Sequence, residues 1–344
     1  MKNTIFSALL AALSMQAIAQ GTSATEENTL GWLWEISGNG LQQKSYLFGT
    51  CHGDGHVFTI DEVFGISGVA EAFDKVDAVY FESEMNPEAP EFIASVQEHA
   101  SKLAKWMNEP DEKYTMPLST GYQSLYDSIT HFNEVHSVLT TKIKMEEYWK
   151  RTPGYWCTTL MTILLEATMK QMAGKSVDGV VYEEAVKRGY ATGHLEEIQT
   201  VPNEGIERII ESASRFDTLS MKQQADSLYN YIHSINNGDT YRELRKIFQK
   251  QKKVTIVYLE NDTCKMSSLL KDPLYIANFD SLLHRQRNMA WIPVIEGNIA
   301  QHRCMIAVGA RHLLGDDSLI NLLRRKGYTV EPVSNKPSNR DTVF

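Results

Sequence analysis

The alternation of apolar and polar residues near the start of the chain predicts a β-hairpin. Residues 30–36 partly alternate as a half-buried strand does, and Ser45–Phe48 is a second short apolar run. Between them, Gly38-Asn39-Gly40 is typical of a hairpin turn. The second strand leads directly into the tetrapeptide Gly49-Thr50-Cys51-His52, so we expect His52 just beyond a strand end.

The next stretch has the strand, helix, strand order that is typical of an α/β sheet. Apolar residues at helical spacing predict a helix over 60–73. Val76–Phe81 is a short apolar run of strand length, and it ends at Glu82. Residues 90–173 are mostly helical in period and rich in methionine and aromatic residues, so we interpret them as a large helical insertion.

Two further units of helix and strand follow the insertion. Residues 178–188 predict a helix that Gly189 ends, and residues 190–195 predict a strand that leads to Glu196. The last unit is the clearest one in the chain. It consists of a buried strand at Met305–Val308, a turn at 309–312, a helix at 318–326 and a final strand at 328–330. Together these patterns predict one α/β domain over residues 30–333, with a mixed central sheet flanked by helices.

The two ends of the chain carry different signals. Lys2, an apolar run and the triplet Ala17-Ile18-Ala19 are typical of a secretory signal peptide over residues 1–19. A flexible lead-in at 20–29 and a tail at 334–344 complete the predicted organisation. We therefore expect an exported protein, periplasmic or extracellular, with no membrane span in the mature chain.

Composition narrows the class of partner. The formal net charge is −9 at pH 7, which argues against nucleic acid and favours a peptide or a small molecule. The four cysteines lack CxxC spacing and are too few for a disulfide scaffold of this size. If the chain contains a disulfide, Cys264 with Cys304 is the pair that we would test first.

Four of the predicted strands end near a side chain that can bind a metal or move a proton. These side chains are His52, Glu82, Glu196 and His312. Because ligands bind at the carboxyl ends of strands in α/β sheets, we expect the four to converge. The glycine of each Gly-x-x-His motif is expected to allow a sharp turn, often at positive φ, and close approach of a ligand. Imidazoles with carboxylates suit a divalent transition ion that activates water for hydrolysis.

Several of these residues have competing interpretations. Glu84 shares a face with Glu82 if the strand continues, so it is an alternative ligand. Glu196 is either a second carboxylate ligand or the general base. Arg287 is a solvated helix cation or a partner for a carboxylate or oxyanion. His56 is a further candidate in a glycine-rich loop, where a solvated imidazole is the more common outcome.

Five segments of the chain together resemble the TraB/GumN family, in the family's order. They are Ser45–His52, Val79–Glu82, the unit from Asp178 to Glu196, the pair Arg287-Asn288, and Ala307–Gly315 with its following helix and strand. The resemblance spans residues 30–333. It implies relatives of the Tiki membrane proteins, which are similar to manganese- or cobalt-dependent proteases that trim secreted signalling proteins, and of factors that shut down peptide pheromones.

By this resemblance His52, Glu82 and His312 match metal-site positions, and Glu196 and Arg287 match catalytic polar positions. The implied cofactor is a divalent ion, manganese or cobalt, with zinc as an alternative. Two residues depart from the family pattern. Cys51 stands where isoleucine or valine is more usual, and His194 replaces the usual glycine before Leu195-Glu196.

We therefore expect an exported metal-dependent hydrolase that acts on a peptide or protein through metal-bound water. One alternative is a protein that binds a metal or peptide without turnover. Another is an esterase of similar fold, for which analogy of fold is the only support.

Overall fold

The computed structural model describes residues 31–52, 56–109, 112, 127–131, 150–161, 174–196, 214–271 and 281–333. The predicted signal peptide at residues 1–19, the lead-in at 20–29 and the tail at 334–344 lie outside these ranges. Parts of the predicted helical insertion also lie outside them.

Six strands of the described chain form one mixed sheet, as the sequence pattern predicts. They are β1 (Leu33–Gly38), β2 (Ser45–Thr50), β3 (Ala78–Phe81), β4 (Ala191–His194), β5 (Cys304–Gly309) and β6 (Tyr328–Pro332). Their order across the sheet is β4-β3-β5-β2-β1-β6. The neighbours β4, β3, β5 and β2 run parallel, whereas β1 is antiparallel to both β2 and β6.

The predicted hairpin between β1 and β2 is confirmed. Leu33 pairs with Phe48, and Ile36 pairs with Ser45. Gly38, Asn39 and Gly40 all have positive φ angles, of 74°, 47° and 83°, which suits the glycine- and asparagine-rich turn between the strands. The register of the hairpin fixes the position of the end of β2, and His52 lies two residues beyond that end.

Helices make up most of the remaining regular structure in the described residues. They are α1 (Ile60–Phe64), α2 (Val69–Phe73), α3 (Pro90–Asn108), α4 (Val177–Arg188), α5 (Met221–Asn236), α6 (Asp239–Leu259), α7 (Thr263–Lys271), α8 (Ser281–Gln301) and α9 (Leu319–Arg325), with a short 3-10 helix at Ala310–Leu313. The single helix predicted over 60–73 is wrong. Gly65 ends α1 and Gly68, at a φ of 79°, precedes α2, so the apolar spacing spans two short helices.

The helices that precede β4 and β6, α4 and α9, begin and end within one residue of the predicted bounds. Ser176 accepts a hydrogen bond from Gly179 N–H at the start of α4, and Gly189 ends it in the left-handed region at a φ of 72°. Ser318 caps α9 in the same way, by accepting from Asn321 N–H. These caps set where the following strands start.

Alternate residues of the central strands pack into two separate hydrophobic clusters. In β2, Leu47 belongs to one cluster and Phe48 to the other. In β5, Met305 and Ala307 pack with Phe48, whereas Ile306 packs with Leu47. The period of two shows that both faces of the parallel strands are covered, as near-continuous apolar strands require.

The chain divides into two compact units. One contains residues 88–172 and 198–249, and its apolar cluster includes Trp106, Trp156 and Leu228. The predicted helical insertion falls in this unit. The other unit consists of residues 10–87, 173–197 and 250–344, and all six strands of the sheet belong to it.

Two further findings concern the described residues as a set. Among the described helices, none combines the length and the apolar character of a membrane span. All four cysteines are described, and none forms a disulfide, so the pairing of Cys264 with Cys304 is wrong. Cys304 lies buried within β5, whereas Cys264 is exposed on α7.

Candidate functional site

The four parallel strands end on the same side of the sheet, and a candidate residue follows each of them. His52 follows β2, Glu82 follows β3, Glu196 lies two residues beyond β4, and His312 lies in the 3-10 helix after β5. All belong to the unit that contains the sheet. The parallel topology therefore brings the four positions to one edge of the sheet.

Arg287, on α8, connects the two carboxylates between which it lies. Its Nη2 donates to Glu82 Oε2 at 2.7 Å, and its Nε donates to Glu196 Oε1 at 2.5 Å. The backbone reinforces this, because Glu196 N–H donates to the Glu82 carbonyl at 3.0 Å. Burial lowers the pKa of Arg287, but the ion pairs with Glu196 and Glu82 outweigh it and leave that pKa above its usual value. The solvated-cation interpretation of Arg287 is thus excluded.

The second oxygen of Glu82 faces β5. Glu82 Oε1 accepts the backbone N–H of Gly309 at 2.6 Å and lies 3.5 Å from His312 Nε2. A Cβ on Gly309 would stand 3.1 Å from the same oxygen, so glycine permits the close approach. The expected positive φ is wrong here, because Gly309 has a φ of −49°.

Gly49 has a different role from Gly309. It lies within β2, opposite Val308 of the neighbouring strand β5. A Cβ at Gly49 would stand 3.0 Å from Leu313 Cδ1 and 3.2 Å from Ala310 Cα. The first Gly-x-x-His motif therefore makes room for the 3-10 helix that carries the second one.

Asn288 fixes the tautomer of His312. The amide nitrogen of Asn288 donates to the Asp317 carbonyl at 2.8 Å, so its Oδ1 is the atom that faces His312 Nδ1 at 2.5 Å. An amide oxygen can only accept, so Nδ1 carries the proton. The lone pair of His312 is consequently on Nε2, which faces Glu82 and also lies 3.5 Å from Arg287 Nη1.

His312 is buried and neutral. Burial, with the charges of Arg287 and His52, lowers its pKa to about 3. The His284 ring stacks on it with centroids 4.1 Å apart, and the Trp291 ring lies 4.5 Å away. Trp291 also packs against the Arg287 guanidinium, whose central carbon is 4.8 Å from the ring centroid.

Helix α8 contributes more side chains to the site than the sequence predicts. The sequence predicts a site role on this helix for Arg287 alone, and Asn288 enters only through the resemblance to the family. His284, Arg287, Asn288 and Trp291 are spaced i, i+3, i+4 and i+7, which places them on one helix face. That spacing is the signal that could have found the other three.

Asp178 is a second residue that sequence reasoning did not assign. It lies in the first turn of α4, buried, and its Oδ1 accepts a hydrogen bond from Thr50 Oγ1 at 2.8 Å. Its other oxygen lies 3.9 Å from His52 Nδ1. Burial raises the pKa of Asp178 to about 6, with a further increase from the charge of Glu82 and opposing effects from His52 and Thr50.

The competing candidates occupy other positions. The Glu84 carboxylate accepts from Asn86 N–H at 2.7 Å and lies 3.7 Å from His194 Nε2, so Glu82 is the carboxylate that faces His312. His194 Nδ1 contacts the Glu196 carbonyl at 2.5 Å. His56 lies 3.1 Å from Glu62, in a pair that is partly exposed. Cys51 is half-buried against the core cluster that includes Phe48.

Comparison with known families agrees with the motif pattern. The model of the TraB/PrgY/gumN family matches residues 32–332, from just before β1 to the last residue of β6. The chain belongs to the TraB/PrgY/gumN family. No curated protein and no solved structure gives a significant match.

Oxygen and imidazole donors in this TraB/PrgY/gumN protein have the chemistry that a divalent ion requires. His312 Nε2 and Glu82 Oε1 are 3.5 Å apart, which two ligands each about 2 Å from a shared ion can span. Glu196 Oε2 is buried and has no hydrogen-bond partner among the described residues. Within the described part of the chain, no three His, Cys, Asp or Glu side chains are gathered closely enough to hold an ion. The side chains therefore provide a pair of donors, with His52 turned towards Asp178.

Proposed function

We propose that this TraB/PrgY/gumN protein is an exported metal-dependent hydrolase that cleaves peptide bonds in a peptide or protein substrate. His52, Glu82 and His312 would hold a divalent ion, manganese or cobalt, with zinc as the alternative. The observation that carries the proposal is the Nε2 atom of His312, which is held without a proton 3.5 Å from a carboxylate oxygen. The family resemblance supports the choice of peptides.

A bound divalent ion would polarise the carbonyl group of the substrate and lower the pKa of a bound water. The chain supplies proton transfer and charge. Glu196 Oε2 is buried without a hydrogen-bond partner in the described chain, which makes it the oxygen able to take a proton. Arg287 Nε donates to Glu196 Oε1, which holds the carboxylate in one orientation. Oε2 would then accept a proton from the water that attacks the substrate.

Arg287 suits the stabilisation of negative charge that develops on the substrate. Two of its nitrogens are engaged by Glu82 and Glu196, whereas the contact of Nη1 among the described residues is a 3.5 Å one with His312. A guanidinium has five N–H donors in a fixed plane, so Nη1 retains donor capacity for an oxyanion. The stacked Trp291 ring holds that plane in place.

A specific observation favours a second candidate, a protein that binds a metal or a peptide without turnover. Glu82 and Glu196 are both already paired with Arg287, and no three-ligand cluster is present among the described side chains. A peptide carboxylate that displaced Glu82 or Glu196 from Arg287 would be bound with no chemistry required.

Metal analysis of the purified protein, followed by a peptide-library digest, separates these candidates. We expect one divalent ion per chain and peptide cleavage that chelation abolishes. His52→Ala and His312→Ala should each lower cleavage at least 100-fold, in the range expected for loss of a group that acts in the transition state. His56→Ala is the matched control, since its partner is the surface carboxylate of Glu62.

Each alternative result has a distinct meaning. Tight peptide binding with no product over hours supports the second candidate. Cleavage of an ester panel without cleavage of peptides overturns the peptidase assignment in favour of an esterase. Full activity in both histidine variants overturns the proposed site.

A further inference from the structure

The buried carboxylate of Asp178 has one satisfied oxygen and one unsatisfied oxygen. The side chain is 8% exposed, and Oδ1 accepts from Thr50 Oγ1 at 2.8 Å. Oδ2 is buried and has no hydrogen-bond partner among the described residues. A buried polar atom without a partner costs free energy, so its retention calls for a physical reason.

The start of α4 is tied to the end of β2 by consecutive contacts. Thr50 donates to Asp178, and the Cys51 carbonyl accepts from Val177 N–H at 3.0 Å. The next residue, His52, has its Nδ1 3.9 Å from the unsatisfied Oδ2. The cap of α4 is provided by Ser176, so Asp178 is not needed for that purpose.

The His52 ring can move closer to the unsatisfied Oδ2 of Asp178, which lies 3.9 Å from its Nδ1. Its side chain is 74% exposed, so rotation about its side-chain bonds meets little packing resistance. An Nδ1–H group directed at Oδ2 would satisfy the buried oxygen and pair opposite charges when the ring is protonated. Asp178 itself cannot turn away, because Thr50 fixes Oδ1.

We propose that Asp178 is a positioning residue that selects the tautomer of His52 with the proton on Nδ1 and the lone pair on Nε2. The two histidines of the Gly-x-x-His motifs then have the same tautomer by different means, His312 through Asn288 and His52 through Asp178. The inference rests on the proposed function in one respect, the binding of an ion by the Nε2 lone pair. The tautomer itself is a property of the unliganded protein.

The direct test is the tautomer of His52, measured by ¹⁵N NMR of the imidazole in metal-free protein at a pH where the ring is neutral. The signal is assigned by its loss in His52→Gln. We expect an unprotonated Nε2 in the natural sequence. A protonated Nε2 overturns the proposal whatever the variants do, because an imidazole in water prefers that tautomer without any positioning group.

Asp178→Asn is the informative substitution, since it keeps the shape and lets the amide oxygen accept from Thr50. The amide nitrogen then faces His52 Nδ1 as a donor, so the tautomer should invert. Glu184→Gln is the matched control, because Glu184 is another buried carboxylate of α4 and is bound to Arg188 and Lys187. An unchanged tautomer in Asp178→Asn, or inversion in both variants, overturns the proposal.

A second measurement separates this inference from the proposed function. Affinity for Mn²⁺ alone, measured by calorimetric titration, should fall about 10- to 100-fold in Asp178→Asn and stay unchanged in Glu184→Gln. If the natural protein binds no ion and cleaves nothing, the proposed function fails while the tautomer result still decides the role of Asp178. If the protein is an active metalloenzyme with Nε2 of His52 protonated, the positioning role fails alone.

Discussion

Asn288 Oδ1 lies 2.5 Å from His312 Nδ1, and this one contact determines which nitrogen of the buried imidazole is basic. The amide is itself oriented by its donation to the Asp317 carbonyl. The tautomer of the site histidine is therefore controlled by a buried residue on α8.

Asn288→Ala should remove that control. We expect a loss of about 1–3 kcal/mol of unfolding free energy, because the buried Nδ1–H of His312 loses its acceptor. Divalent-ion affinity should fall about 10- to 100-fold, as for other lost orienting partners of metal-binding histidines. Chemical denaturation and ion titration provide the two measurements. Gln286→Ala, on the exposed side of the same helix, should change stability by less than about 0.5 kcal/mol.

Arg287→Ala should be the most destabilising change at the site. It leaves the carboxylates of Glu82 and Glu196, which are 18% and 10% exposed, without their counter-charge. Breaking a buried ion pair from one side typically costs about 3–5 kcal/mol. Arg285→Ala is the control, since Arg285 is 55% exposed and contacts Asp317 at 3.4 Å on the surface. Equal unfolding free energies for the two variants would contradict the buried network.

The neutral His312 ring should not take up a proton between pH 8 and pH 4. Burial, Arg287 and His52 lower its pKa to about 3, whereas an unfolded histidine titrates near pH 6.5. A lowered pKa means that the folded state binds the proton more weakly than the unfolded state. Stability is therefore lost as the pH falls from about 6.5 towards 3, and His284, also lowered to about 3, adds to the loss. Imidazole NMR shifts and acid denaturation test this, and a His312 titration midpoint near 6.5 would contradict it.

Asp178 has the opposite pH dependence. Its pKa rises from 3.8 to about 6, so its folded state binds a proton more tightly than its unfolded state. The stability it contributes is present below about pH 4 and is lost as the pH rises through 6. Asp178→Asn should remove that loss and raise the unfolding free energy at pH 7 by up to about 3 kcal/mol. Denaturation curves of both proteins at pH 4 and pH 7 measure the difference, and an equal gap at the two pH values would refute it.

The two motif glycines should respond differently to alanine. In Gly309→Ala, the new Cβ meets the Glu82 carboxylate at 3.1 Å at a φ that alanine accepts, so the carboxylate moves and ion affinity falls. In Gly49→Ala, the Cβ meets backbone and Leu313 at 3.0–3.2 Å, so stability falls by about 1–3 kcal/mol. Ion titration and denaturation together resolve the two effects. Loss of stability alone in both variants would remove the distinction between the glycines.

The sheet and the strand-end residues could be predicted from sequence because apolar runs of strand length leave few alternatives. Glu82 follows such a run directly, His312 lies in the short 3-10 helix after another, and parallel topology brings the two together. Asn288 and Asp178 could not be assigned by the same logic, since each acts through one neighbour that is distant in sequence. The break between α1 and α2 could not be predicted from the apolar period, because Gly65 and Gly68 interrupt the helical backbone and leave the spacing of the apolar residues unchanged.

The position of β5 has a consequence for the order in which the protein folds. β5 lies between β3 and β2, yet its Cys304 is separated by 259 residues from its contact Ser45 in β2. The β1–β2 pair and the β3–β4 pair do not need β5, but the two pairs cannot join into one sheet until β5 is inserted between them, and contacts of such sequence separation form slowly. His312 lies in the segment directly after β5, so the site assembles in the same step that completes the sheet. A folding intermediate that precedes this step does not contain the site.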